Sequence, residues 1–352
     1  MTSIERTAYP RFKRLISAGE LHGHFKPARE EVSWASQRTD SGGHLLALVL
    51  ALKCFQWMGR FPRQDEVPGQ VVDYVRRALK LPGAVVPVVA SDRSAERHRG
   101  LIRTRCGVSY NPAEARRIAA EAIRAEAEVK NNPADLINVA LEKVLQATLE
   151  LPAYRTLDEL ASQIRREVNR EIITRVHDRM NLYERGRLEA SLSTIGLDGK
   201  TLFNAFKQAA RRPSWSHFRQ LARHLVFVDG YGGTETWLDG VTPAKIASFA
   251  GEADAADAAV MGDYERTKRI VLIACLLHKA RMRARDDMAA MFCKRVATHT
   301  KKARDELEDI RRRQQSITER LVLALKAVLG QVDRTARPRR WAPPRAHWPP
   351  AP

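Results

Sequence analysis

The chemistry-bearing residues of this chain are arginines set close together. The segment SDRSAERHRGLIRTRCGVSYNP (91–112) holds Arg93, Arg97, Arg99, Arg103 and Arg105 against only Asp92 and Glu96. Wound as a helix at about 100° per residue, Arg93, Arg97, Arg99 and Arg103 share one arc of about 160°, while Leu101, Ile102 and Cys106 face away. A planar guanidinium grips a phosphate or a guanine edge through two parallel hydrogen bonds, so such a helix could dock by its apolar side and present arginines to a DNA duplex. The competing reading is a surface helix whose arginines pair with carboxylates from elsewhere. His98 has no acid or nucleophile at motif spacing and is expected to be packed or hydrogen-bonded, not catalytic.

A second candidate lies in HLLALVLALKCFQWMGRFP (44–62), which reads as an almost wholly apolar helix. Its polar exceptions Lys53, Gln56 and Arg60 form one narrow stripe, either a DNA-facing set or the wet edge of a core helix; Arg60 near the end also suits the helix dipole. A third lies in residues 264–304, where a buried strip (Ile270, Ile273, Ala274, Leu277) precedes Lys279, Arg281, Arg283 and Arg285. The adjacent Asp286 and Asp287 would point about 100° apart on a helix, so ion pairing with the nearby arginines is expected rather than metal chelation.

The elements that position these groups are helices. PADLINVALEKVLQATLEL (133–151) and TLDELASQIRREVNREIITRV (156–176) repeat apolar residues at three- and four-residue spacing, with Pro133 and Thr156 standing where helices start. VVPVVA (85–90) reads as a strand or an extended linker, and Pro87 favours the linker. The fold class expected is all-α. Breaks at 80–83, 150–152 and 196–199 suggest helical modules joined by short turns. From about Ala303, Leu307, Gln314, Leu321 and Val328 fall seven apart, interleaved by Ile310, Ile317 and Ala324; residues 303–329 are expected either to pack within the chain or to self-associate as a coiled coil.

The 352 residues carry 60 Lys and Arg against 41 Asp and Glu, a net charge of +19. The excess is concentrated: +5 in residues 93–117, +10 in 266–304 and +4 in the last twenty, with the remainder neutral in aggregate. Concentrated charge points to a polyanionic partner. Four scattered cysteines (Cys54, Cys106, Cys275, Cys293) support neither a zinc module nor a disulfide framework. No cofactor or metal site is expected: 229–233, DGYGG, lacks the spacing and the Lys-Ser/Thr of a phosphate-binding loop. With no signal core and no long apolar run, the expected location is the cytoplasm, without a membrane partner.

Several unusual segments, in order along the chain, resemble the N-terminal part of the Tn-three family of bacterial transposases: SIERTAYPRFKR (3–14), HLLALVLALKCFQ (44–56), DEVPGQVVDYVR (65–76), ERHRGLIRTRCGV (96–108), PADLINVALE (133–142), ELPAYRTLDELA (150–161) and HKARMRARDDMAAMFCKR (278–295). The resemblance implies helical modules that recognise the terminal inverted repeats of a transposon in double-stranded DNA. In the family, catalysis belongs to an RNase H-like domain holding two Asp and a Glu on divalent metal, several hundred residues further on. No catalytic residue is therefore carried over, and the chain is expected to be a fragment without strand-transfer chemistry. The expected organisation is a helical DNA-binding module (1–82), a second with the Arg-rich helix (83–165), a helical linker region (166–332) and a Pro/Arg-rich tail (333–352) foreign to the family.

Overall fold

In the computed structural model, which describes residues 2–196, 199–207 and 214–335, the chain is all-α. From residue 336 onward the Pro/Arg-rich tail lies outside the described residues. The α-helices are α1 (Ala18–Phe25), α2 (Arg29–Ser36), α3 (Gly42–Met58), α4 (Gly69–Ala78), α5 (Asp92–Cys106), α6 (Pro112–Ala127), α7 (Pro133–Gln146), α8 (Tyr154–Asp178), α9 (Leu182–Ala190), α10 (Leu202–Phe206), α11 (Trp215–Asp229), α12 (Thr234–Trp237), α13 (Pro243–Ala255), α14 (Ala258–Asp263) and α15 (Arg266–Thr335). They fall into two compact units, Met1–Ala209 with Val226–Met282, and Ala210–Leu225 with Arg283–Pro352. Both expected modules, 1–82 and 83–165, lie inside the first unit.

Helix starts follow local chemistry. Ser17 and Glu20 close a capping box on α1, Ser91 accepts from the Ser94 N–H at 3.2 Å, and Asn111, followed by Pro112, accepts from Glu114 at 3.1 Å. The helix expected from Pro133 stops at Gln146, short of Leu151, because Thr148 takes a φ of 52° and breaks the run. Residues 85–90 are extended without a strand partner among the described residues. This strap crosses the start of α3, where the Val88 N–H donates to Gly43 O at 3.1 Å. A Cβ on Gly43 would meet Val86 O and the Val88 side chain at 3.1 Å, so the approach depends on glycine.

In the first unit α3 is the centre of one core: Leu46, Leu48, Val49, Leu52 and Phe55 are buried together with Phe25 of α1, Ala35 of α2, Val71 and Val75 of α4 and Ile102 of α5. Gly59 ends α3 in a left-handed conformation (φ 66°), and a Cβ there would press on Leu145 at 3.1 Å. Further along, the small side chains of Ala115 and Ala119 let α6 lie against α7 and α8. The cysteines are free, as composition suggests; burial pushes the Cys54 and Cys275 thiols up to about 12. No helix among the described residues is long and apolar enough to cross a membrane.

The second unit contains residues 215–225 of α11 and the part of α15 from Arg283 onward. Every side chain from Phe292 to Val332 is exposed, including Leu307, Ile310, Ile317, Leu321 and Val328. The long helix expected here is present, but packing of 303–329 within the chain is not seen among the described residues.

One polar node sits inside the first unit. Lys245 of α13 is fully buried and donates to Asn131 Oδ1 (2.8 Å) and Asn169 Oδ1 (2.6 Å). Burial first, then repulsion from Arg165, lowers its pKa to about 8, against a smaller opposing pull from Glu128. Between that value and the 10.5 of a free lysine, the unfolded chain holds a proton that the folded chain has released. Stability from this group therefore rises as pH rises through that window. Lys245→Met should remove the increment and cost about 1–3 kcal/mol, since Asn169 Oδ1 and Asn131 Oδ1 each lose a donor and Asn131 keeps only Asn169 Nδ2. Urea unfolding of both proteins at the two ends of the window checks this as the change in their stability difference.

Candidate nucleic-acid interface

Helix α5 is seated by Ile102, which enters the core around α3, and is closed by Gly107, whose left-handed φ of 66° lets the Val108 N–H return to Arg103 O at 3.0 Å. The face opposite Ile102 carries Arg93 and Arg97. Both are exposed, and neither has a carboxylate partner among the described residues. His98 on the inner flank is half-buried; burial, then His44 and Arg97, lowers its pKa.

The other arginines of the segment are more committed. Arg99 is half-exposed, leans on Glu96 at 3.4 Å and lies 5.8 Å over the Phe61 ring. Arg105 is exposed and lies 5.0 Å over Trp34 of α2, whose ring also carries Arg38 at 5.1 Å. Arg103, placed by helical arithmetic on the outer arc, is instead buried. Its Nε donates to Glu150 at 2.7 Å, its Nη1 donates to Glu96 at 2.7 Å, and the Tyr110 ring covers it at 4.1 Å. Burial alone would lower its pKa; the two carboxylates hold it above the ordinary arginine value. Glu150 is brought there by backbone pairing, its N–H donating to Ser109 O at 3.1 Å. The expectation of Arg103 as a DNA contact meets a side chain already engaged within the fold.

The stripe on and just after α3 is likewise engaged within the fold, although Gln56 stays exposed. Lys53 pairs with Glu31 at 3.3 Å, and Gln56 donates to the same carboxylate at 2.7 Å. Burial pushes the Glu31 pKa up, but hydrogen bonds from the Ala28 N–H, Gln56 and Lys53 bring it below the usual carboxylate value. Arg60 pairs with Glu66 at 2.8 Å, donates to Pro10 O at 3.2 Å and lies over Tyr9. Lys53 and Gln56 join α3 to α2, and Arg60, just past the end of α3, ties the chain to the N-terminal segment.

The basic stretch 266–304 divides at Met282. Before it, Arg266 and Arg269 pair with Glu189, Lys268 with Glu252, Lys279 with Asp254, and the buried Arg281 with Asp229 at 2.7 Å. After it, Arg283, Lys294, Arg295, Lys301 and Arg304 have no ion pair with a described residue. The pairing expected for Asp286 and Asp287 is also not seen among the described residues, nor do three metal-ligating side chains converge there. Sequence reasoning missed Glu150, Glu31, Trp34 and Arg38. Only the last two left a local signal, an aromatic in the last turn of a helix and a cation four residues on.

Residues 1–164 match the family model described as a domain of unknown function, DUF4158. The match takes in α1 to α7 and the start of α8, hence the whole arginine-bearing face of α5 and the carboxylate that anchors it.

Arg103→Ala should destabilise the chain by about 3 kcal/mol, because it leaves Glu150 half-enclosed without its counter-charge. In a double-mutant cycle by urea unfolding, Arg103→Ala and Glu150→Ala should be non-additive by about 1–3 kcal/mol. Arg93→Ala, measured beside them, should change stability by less than about 0.5 kcal/mol.

Proposed function

We propose that the chain binds double-stranded DNA and recognises the terminal inverted repeats of a transposon, with no strand-transfer chemistry assigned to its own residues. The observation that carries this reading is the outer face of α5, where Arg93 and Arg97 are exposed without carboxylate partners on a helix held firmly by Ile102 and Arg103. A major groove about 12 Å wide admits one α-helix, and its phosphates flank the helix on both sides. Arg99, Arg105 and Arg38, on the flanks, are the next to reach the duplex. The match over 1–164 covers six of the seven segments that resemble the Tn-three transposases, which supports assigning recognition to this part of the chain.

Gel-shift titration against a duplex carrying the terminal repeat and a scrambled duplex tests this. Tighter binding to the repeat is expected, falling steeply with salt. Arg93→Ala with Arg97→Ala should weaken binding and lower the slope of log K against log salt by about two, one for each phosphate no longer neutralised. Equal affinity for both duplexes would reduce the reading to nonspecific binding.

A second reading, a helical assembly protein, is favoured by the exposed apolar seam on 303–329. Two copies that buried it would sediment as a concentration-dependent dimer. Ile310→Asp with Ile317→Asp should then leave a monomer at every concentration.

A further inference from the structure

Within the second unit, the start of α11 and the middle of α15 enclose a cleft of about 190 Å³, lined by Trp215 and Phe218 on one side and by Met291, Phe292, Lys294 and Arg295 on the other. This is smaller than the roughly 300 Å³ at which drug-sized sites begin, so it suits one small flat group. Trp215 and Phe218 stand one helical turn apart with their rings 8° from parallel and centroids 5.6 Å apart. Trp215 is 66% exposed and Phe292 63%. An aromatic patch left this open marks a binding surface.

The charges around the cleft say what covers it. No carboxylate occurs between residues 288 and 304, while Lys294, Arg295, Lys301, Lys302 and Arg304 fall in that stretch. Lys294 and Arg295, at the rim, have no ion pair with a described residue. An apolar platform rimmed by unpaired cations fits a ligand that is both planar and polyanionic. Duplex DNA is polyanionic but keeps the faces of its bases stacked inside the helix. Unpaired bases offer those faces, and stacking on aromatic side chains beside a cationic track is how single strands are held without sequence preference.

We propose that this cleft binds single-stranded DNA, stacking a base on Trp215 and Phe292 while Lys294 and Arg295 hold the adjoining phosphates. The site is separate from the face of α5, so either assignment can fail without the other.

Fluorescence anisotropy on the full chain tests it with three labelled probes: an oligothymidylate of about 12 nucleotides, within the range single-strand binders occupy, an abasic strand of equal length and charge, and a duplex. The oligothymidylate should bind more tightly than the abasic strand. Trp215→Ala and Phe292→Ala should each weaken it by about fivefold to a hundredfold, with duplex affinity unchanged and Trp215→Phe close to the parent. The Arg93→Ala, Arg97→Ala protein should keep its oligothymidylate affinity. Unchanged affinity in both alanine variants, equal binding of the abasic strand, or a change of oligomeric state on removing Trp215 would each overturn the proposal, the last by making the cleft a protein contact.

Discussion

A helix with no polar face has to be surrounded. α3 offers apolar side chains on nearly every side, and with each buried Leu or Phe contributing about 1.5–3 kcal/mol, no arrangement that left one side open would compete. Elements α1, α2, α4 and α5 are therefore drawn around it, and the orientation of α5 follows from which of its residues fills the space left over. Ile102 fills it, and the opposite side of that helix is turned outward by default. The arginine face is thus a by-product of packing as much as a surface in its own right.

Three polar residues on and just beyond α3 obey the same constraint. A charge removed from water must be met by a counter-charge and by hydrogen bonds, or burial becomes prohibitive. Lys53 and Gln56 meet Glu31, Arg60 meets Glu66, and the buried Arg103 and Arg281 meet Glu150 and Asp229. Net charge hides this division. Cations that fasten one helix to another and cations free to meet a ligand contribute equally to +19, yet only the second group can do anything at the surface.

What could be read from the sequence follows the range of the interactions. Apolar periodicity acts over a few positions, so the all-α class, the apolar helix from His44 and the arginine helix within 91–112 were legible. The side of α5 to which Arg103 points was not, because Glu150 lies 47 residues away and reaches it through a turn that no local pattern announces. The engagement of Lys53 and Gln56 by Glu31 was hidden for the same reason, Glu31 standing 22 residues before Lys53. The heptad spacing after 303 was legible as a long helix, but spacing alone does not say whether such a seam is covered from within the chain.

The distance between Arg103 and Glu150 also has a consequence in time. At about 5–20 residues per second, a ribosome needs about 2–9 s to extend the chain from the end of α5 to residue 150. A helix of that length forms in about a microsecond. During synthesis the arginine helix can therefore wind long before the second carboxylate that fixes it exists, with Arg103 paired to Glu96 alone. For those seconds Glu96, seven residues earlier on the same helix, is the counter-charge Arg103 has, and half of its final ion pairing is still to come.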